Sequence, residues 1–94
     1  MGKFREFVDR VKGMQPHAMK EAIENEIANV EGTSKKKDGN RLWKLRTLRL
    51  LVIGQPVDVR GLRSKTMAAF KAVADSLVAT GELNADILMQ FKGI

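Results

Sequence analysis

The side chains that most often perform acid–base or nucleophilic catalysis are scarce in this sequence. It contains one histidine, His17, and neither cysteine nor tyrosine. Histidine is the usual base near neutral pH, but His17 follows Pro16 at a predicted helix start, where an exposed or capping side chain is the simplest interpretation. We therefore expect a non-catalytic protein, with a ligand contact or a pH-sensitive role for His17 as the alternative.

Two other patterns are incomplete for the chemistry that they suggest. Glu24 and Glu31 share a helical face at i and i+7, but no further ligands accompany them, so we expect a solvated face and no metal site. The segment GLRSKT, residues 61–66, is similar to the end of a phosphate-binding loop. Ser64 and Val59 stand where that loop requires glycine, which argues against a nucleotide-hydrolysing site. We expect no cofactor.

Positive charge is concentrated in the middle of the chain. The formal net charge is +6, yet residues 1–34 and residues 67–94 each carry −1, so the segment between them carries +8. Clustered lysine and arginine bind phosphate backbones by releasing condensed counterions. The candidate residues for binding a nucleic acid or an acidic protein partner are Lys35, Lys36, Lys37, Arg41, Lys44, Arg46, Arg49, Arg60, Arg63 and Lys65.

Trp43 lies inside this basic segment and is a candidate for stacking on an unpaired base. Because the chain has only one tryptophan and four phenylalanines, the favoured interpretation is instead a core residue. For the charges, the alternative is a solubilising surface on which Arg41, Arg46 and Arg49 lay their stems over apolar neighbours.

A helix-turn-helix unit is a sharper version of the nucleic-acid hypothesis. It would combine residues 57–62 with the helix that begins near Ser64, presenting Arg63 and Lys65 to a groove. That helix carries an apolar stripe and several alanines rather than the Asn, Gln and Arg series that contacts base edges. We therefore expect contacts to backbone phosphate that are mostly indifferent to base sequence.

Two N-terminal helices are predicted by apolar spacing. Phe4, Phe7, Val8 and Val11 fall at i, i+3, i+4 and i+7. Gly13 suits a left-handed helix end, and the next helix begins at Pro16. Its apolar stripe consists of Met19, Ile23, Ile27 and Val30. The short link between them predicts an antiparallel helical hairpin over residues 2–31.

The remaining elements are predicted with one ambiguity. Residues 32–40 have no apolar side chain and indicate a basic loop, whereas residues 41–53 favour a central helix because they contain five leucines and few β-branched residues. A short β-hairpin within residues 42–60 is the alternative. Helices are expected over residues 64–80 and 84–92, with Ser64 and Asn84 as N-caps and Gly81 as a C-cap.

The sequence as a whole predicts one all-α domain over residues 1–94, a small bundle of four to five helices, with an α+β fold as the alternative. There is no apolar run of 18 residues, so no membrane span is expected. The absence of cysteine fits a reducing compartment, and we expect a cytoplasmic protein.

Two functional hypotheses follow. The first is a nucleic-acid-binding accessory protein that contacts the phosphate backbone of DNA or RNA through the basic segment, compatible with a homodimer. The second is a small helical protein-interaction module, an adaptor or an inhibitor, that docks its basic face on an acidic protein. The size, charge and shortage of catalytic groups of this protein are typical of the small accessory proteins of phages and mobile elements.

Overall fold

The computed structural model describes residues 3–32 and 38–91. Within these residues the helices are α1 (Lys3–Val11), α2 (Pro16–Glu31), α3 (Asp38–Val52) and α4 (Ser64–Ala79), followed by a C-terminal 3-10 helix (Ala85–Phe91). The described part of the chain contains no strand, so the all-α prediction is confirmed. The alternative of a hairpin within residues 42–60 is wrong, because α3 continues to Val52 and an irregular turn follows it.

Helix α3 lies at the centre of the bundle. It packs against α1, α2 and α4. Leu45, Leu48 and Leu51 are completely buried, and Val52 is 1% exposed. This arrangement confirms both the predicted helix and its central position, and it follows from leucines that point to more than one side of the helix.

The two N-terminal helices are not each other's main partners. Helix α2 packs chiefly on α3, while α1 packs chiefly on α4, where the rings of Phe4 and Phe70 lie 5.7 Å apart at 59°. The expected antiparallel α1–α2 pairing is therefore replaced by two separate contacts. The apolar stripe of each helix is covered by a later segment of the chain, which local spacing does not identify.

Glycines end α3 and α4 in the left-handed conformation. Gly54 has φ of 83° and Gly81 has φ of 81°. After α4, the Glu82 N–H donates to the Leu77 carbonyl at 2.9 Å, which closes the last turn. Gly13 does not adopt a positive φ, so the left-handed end predicted for α1 is wrong.

The predicted N-caps have different outcomes. The Asn84 carboxamide accepts the Asp86 N–H at 2.9 Å, as expected for a cap, although the helix that follows is 3-10. Ser64 is not the cap of α4, because Arg63 occupies that position in an extended conformation and makes no side-chain hydrogen bond to the helix. The first turn of α4 therefore begins without the hydroxyl cap that the sequence predicted.

Part of the segment predicted as a basic loop is helical. Residues 38–40 belong to α3, so the helix begins inside the segment that was expected to be a loop. Lys35, Lys36 and Lys37 lie outside the described residues. No helix in the described ranges is long and apolar enough to cross a membrane.

Candidate functional site

Two arginines of the basic segment are engaged in ion pairs between α3 and α2. Arg46 Nη2 lies 2.6 Å from Glu31 Oε2, and Arg49 Nη1 lies 3.4 Å from Glu24 Oε1. Glu24 and Glu31 are exposed, as the sequence predicted, and each also pairs with an arginine of α3. We call Glu24, Glu31, Arg46 and Arg49 the paired face.

A third arginine of the basic segment, Arg60, forms an ion pair with Asp58, two residues earlier in the chain. Arg60 Nε lies 3.0 Å from Asp58 Oδ1, and the Arg60 backbone N–H donates to the same oxygen at 3.0 Å. The side-chain hydrogen bond from Arg60 is the main cause that lowers the pKa of Asp58 from 3.8 to about 2, with the backbone N–H second. Both side chains are exposed, so the pair is a local feature of the turn before α4.

Lys44, Arg63 and Lys65 meet at a cleft beside the first turn of α4. The cleft has a volume of about 580 Å³, and Arg5 from α1 adds a fourth cation to it. Its other lining residues are Phe4, Ser64, Thr66 and Ala69. Three of the ten predicted binding residues are thus brought together, although they come from two different elements. We call this site the cationic cleft.

Among the side chains that the structure describes, no carboxylate lines the cationic cleft. Within residues 3–32 and 38–91, none of its four cations forms an ion pair with Asp or Glu. Lys44 Nζ instead lies 5.8 Å from the centre of the Phe4 ring. Four positive charges therefore surround one concavity without a protein anion between them, an arrangement that attracts an external anion.

The start of α4 adds to this positive character. Each helix leaves its first N–H groups without an intrahelical acceptor, and the aligned peptide dipoles place partial positive charge there. Because Arg63 caps the helix without a side-chain hydrogen bond, no side chain of the cap occupies these donors. A negative ligand in the cleft would meet both the cations and the open end of the helix.

The floor of the cleft is apolar apart from one threonine. Phe4 is 6% exposed and Ala69 is 5% exposed, and Phe70 supports Phe4 from beneath. Thr66 is 9% exposed, and its hydroxyl makes no hydrogen bond within the described ranges. Because the hydroxyl oxygen is not among the buried atoms without a partner, it remains accessible at the cleft, where it can donate or accept a hydrogen bond.

Trp43 is not the core residue that the sequence favoured. Its side chain is 48% exposed, and it is not part of the cleft lining. Leu50, on the same side of α3, and Ile53, directly after the end of the helix, are 41% and 52% exposed. We call these three residues the α3 strip. It leaves Trp43 accessible for a base or for a protein partner.

The other sequence candidates lie apart from the cleft. Arg41 is half-buried on α3 and does not line it, and His17 is exposed at the start of α2. Among the described residues, no group of three or more His, Asp or Glu side chains is placed to hold a metal ion. A second depression of about 460 Å³ beside the 3-10 helix is lined by Asp86 and, among the described residues, by no basic side chain.

Arg5 is the functional candidate that sequence reasoning missed. It lies in a near-neutral flank, far along the chain from Lys65, and only the packing of α1 on α4 brings the two to one cleft. No local signal distinguishes it from the other basic residues of α1.

No family model matches the chain, and no curated protein or solved structure is significantly similar to it.

Proposed function

We propose that this protein is a non-catalytic nucleic-acid-binding protein that contacts backbone phosphates at the cationic cleft. The observation that supports this most directly is the meeting of Arg5, Lys44, Arg63 and Lys65 around a concavity that no described carboxylate lines. Phosphate oxygens are the acceptors that lysine, arginine, hydroxyl groups and helix N-termini commonly bind in nucleic-acid complexes. All of these donors are present at this one site.

The proposal narrows the set of binding residues suggested by the sequence. Arg46, Arg49 and Arg60 are occupied by carboxylates and contribute little net positive charge locally. The apolar stripe of α4 is buried, and the exposed face of its later turns presents Lys71, Asp75 and Ala79 rather than a series of Asn, Gln and Arg side chains. Binding through the cleft is therefore expected to be insensitive to base sequence and strongly sensitive to salt.

The test compares two variants with the same change in net charge. Arg5, Lys44, Arg63 and Lys65 are changed to Gln in one, and Arg46, Arg49, Arg60 and Lys71 in the other. All four control residues form ion pairs. Fluorescence anisotropy with labelled single-stranded and duplex DNA and RNA measures affinity at several salt concentrations, and circular dichroism verifies folding.

We expect the cleft variant to lose most of its affinity. Four lost phosphate contacts make the slope of log affinity against log salt shallower by about 3.6 for duplex DNA. The control variant should retain a slope close to that of the wild-type protein. Equal loss in both variants would mean that binding follows net charge rather than the cleft, and absence of binding by the wild-type protein at low salt would refute the function.

A second candidate function is supported by the α3 strip. Trp43, Leu50 and Ile53 are exposed beside the paired face, and tryptophan with apolar neighbours is enriched where proteins bind one another. An adaptor or inhibitor that docks on an acidic protein would use this strip together with nearby cations. Changing Leu50 and Ile53 to Ser distinguishes the two functions, because it should abolish protein docking and leave binding at the cationic cleft unchanged.

A further inference from the structure

The cationic cleft has features that contact with a continuous phosphate backbone does not require. A backbone phosphodiester carries one negative charge and is flanked by a sugar on each side, so a flat row of cations is sufficient to bind it. This site is instead concave, with a volume of about 580 Å³. That volume lies within the range of pockets that hold a small molecule or cofactor, which is more than a single phosphate group needs.

The donors of the cleft suit a phosphate with more charge than a diester. The four cations have no described carboxylate among them, and the cap of α4 makes no side-chain hydrogen bond to its first turn. A phosphomonoester carries a charge of about −1.5 to −2 at pH 7 and has three strong acceptor oxygens. Its extra charge matches a site that has several cations and free N–H groups at one point.

Thr66 is a second observation that indicates a ligand at this position. The side chain is nine-tenths buried at the cleft, and within residues 3–32 and 38–91 its hydroxyl has no hydrogen-bond partner. The rest of the residue is covered, but its hydroxyl oxygen is accessible at the cleft and is not used by the protein. A phosphate oxygen in the cleft could therefore accept this O–H without breaking an existing hydrogen bond.

The apolar floor extends the site beyond the phosphate. Phe4 and Ala69 line the cleft beside the cations. An aromatic edge and a methyl group suit the sugar or base attached to a phosphate, and they offer nothing to inorganic phosphate itself. The lining therefore favours a phosphate with a nucleoside attached.

We propose that the cationic cleft binds the terminal phosphomonoester of a nucleic-acid strand, with the end nucleotide against Phe4 and Ala69. This inference depends on the proposed function and makes it more specific, because the preferred target becomes a phosphorylated strand end rather than any stretch of backbone. Arg5, Lys44, Arg63 and Lys65 neutralise the phosphate, while Thr66 and the first N–H groups of α4 bind its oxygens.

The test uses three oligonucleotides of one sequence, with a 5′-phosphate, a 3′-phosphate or hydroxyl groups at both ends. Anisotropy at physiological salt should show one phosphorylated form binding at least about tenfold more tightly than the hydroxyl form, the factor that one charge-assisted hydrogen bond supplies. Equal binding of all three would overturn the end preference and leave the proposed function standing. Binding of none would refute the proposed function as well.

Competition experiments identify the source of the phosphate. Inorganic phosphate and adenosine monophosphate are added to the complex with the preferred oligonucleotide. Each should compete more weakly than an unlabelled phosphorylated strand, because neither supplies the remaining strand contacts. Competition by adenosine monophosphate at the same concentration as the strand would mean that the cleft is a free-nucleotide site, which overturns the proposal.

A pair of conservative variants tests the role of Thr66. Thr66→Val keeps the shape of the side chain and removes only the hydroxyl, so the preference for the phosphorylated end should fall about tenfold while the hydroxyl form binds as before. Thr47→Val is the matched control, since the Thr47 hydroxyl donates to the Trp43 carbonyl within α3 and does not line the cleft. An unchanged preference in Thr66→Val would refute the assigned contact.

Discussion

Arg46 and Arg49 extend from α3 to carboxylates of α2, whereas Arg63 and Lys65 stand at the start of α4 with no ion pair to any described carboxylate. All four belong to the segment that gives the chain its positive charge. The same residue types therefore hold two helices together on one side of the bundle and remain available on another. The number of basic residues in a segment does not by itself locate a binding site.

The two regions also differ in their effect on stability. An exposed ion pair contributes about 0.2–1 kcal/mol, so the paired face is mildly stabilising. Cations at a helix N-terminus are unfavourable, because they oppose the helix dipole, and neighbouring like charges repel one another. The four cations of the cleft therefore lower the stability of the fold slightly. Such a loss of stability is typical of sites kept for function.

The largest expected change in stability comes from removing the Phe4 ring, which forms part of the floor of the cleft. Phe4→Ala should lower the free energy of unfolding by about 3–5 kcal/mol, because it deletes a buried ring packed on Phe70. Ile27→Ala on α2, 4% exposed, is the matched variant and should cost about 2–5 kcal/mol. Urea denaturation measures both values.

Nucleic-acid binding then separates the two variants. Under conditions where circular dichroism shows both to be folded, Phe4→Ala should bind more weakly and Ile27→Ala should bind as the wild-type protein does. Equal weakening in the two would show that binding depends on overall stability and would remove the distinction between the regions.

A gain in stability is expected at the first turn of α4. Arg63 has the extended conformation of a cap, and aspartate at this position would accept N–H groups and complement the helix dipole. Arg63→Asp should therefore increase the free energy of unfolding by about 1 kcal/mol, or raise the melting temperature by about 4–8 °C for a domain of this size. Thermal denaturation measures the gain.

The same variant should bind nucleic acid at least about tenfold more weakly, because a carboxylate replaces a phosphate-binding cation. Arg63→Gln is the control that removes the cation without supplying a cap, so it should weaken binding with a smaller change in melting temperature. Unchanged binding by Arg63→Asp would place the phosphate contacts elsewhere in the chain.

The helices were predictable because their signals are local. Apolar spacing in α1 and α2, the leucines of α3 and the stripe of α4 each lie within a few turns of chain. The left-handed end at Gly81 and the cap at Asn84 follow from short-range chemistry of the same kind. The cap of α4 was shifted by one residue, because the extended Arg63 leaves Ser64 inside the helix.

The composition of the cleft was only partly predictable, because it depends on contacts between distant residues. Lys44, Arg63 and Lys65 could be chosen by charge density, but Arg5 joins them only through the packing of α1 on α4. The occupation of Arg46 by Glu31 likewise depends on how α2 lies against α3. Trp43 was assigned to the core because the chain has few aromatic residues, yet leucines fill the inner side of α3 instead.

Smaller effects are expected on the paired face. Arg46→Gln and Arg49→Gln should each lower the free energy of unfolding by about 0.2–1 kcal/mol at low salt, and less at 1 M salt, since exposed pairs are screened. Lys65→Gln at the cleft should leave the free energy of unfolding unchanged or raise it slightly. Urea denaturation at the two salt concentrations tests the difference in sign, and a loss in Lys65→Gln equal to that in Arg46→Gln would contradict it.

The smallest expected effect is on the titration of Asp58, which pairs with Arg60. Both residues lie in the sequence between Arg49 of the paired face and Arg63 of the cleft. Because hydrogen bonds from Arg60 lower the pKa of Asp58 to about 2, any stabilisation from this pair is present above pH 3.8 and is lost as the pH falls through about 2. Arg60→Gln should raise the pKa of Asp58 toward 3.8, but not fully, because the backbone N–H of residue 60 still donates to the carboxylate. Carboxyl NMR titration measures this shift, and Lys65→Gln should leave it unchanged. If Arg60→Gln also left the pKa of Asp58 unchanged, Arg60 would not be paired in solution and would count as an unpaired cation outside the cleft.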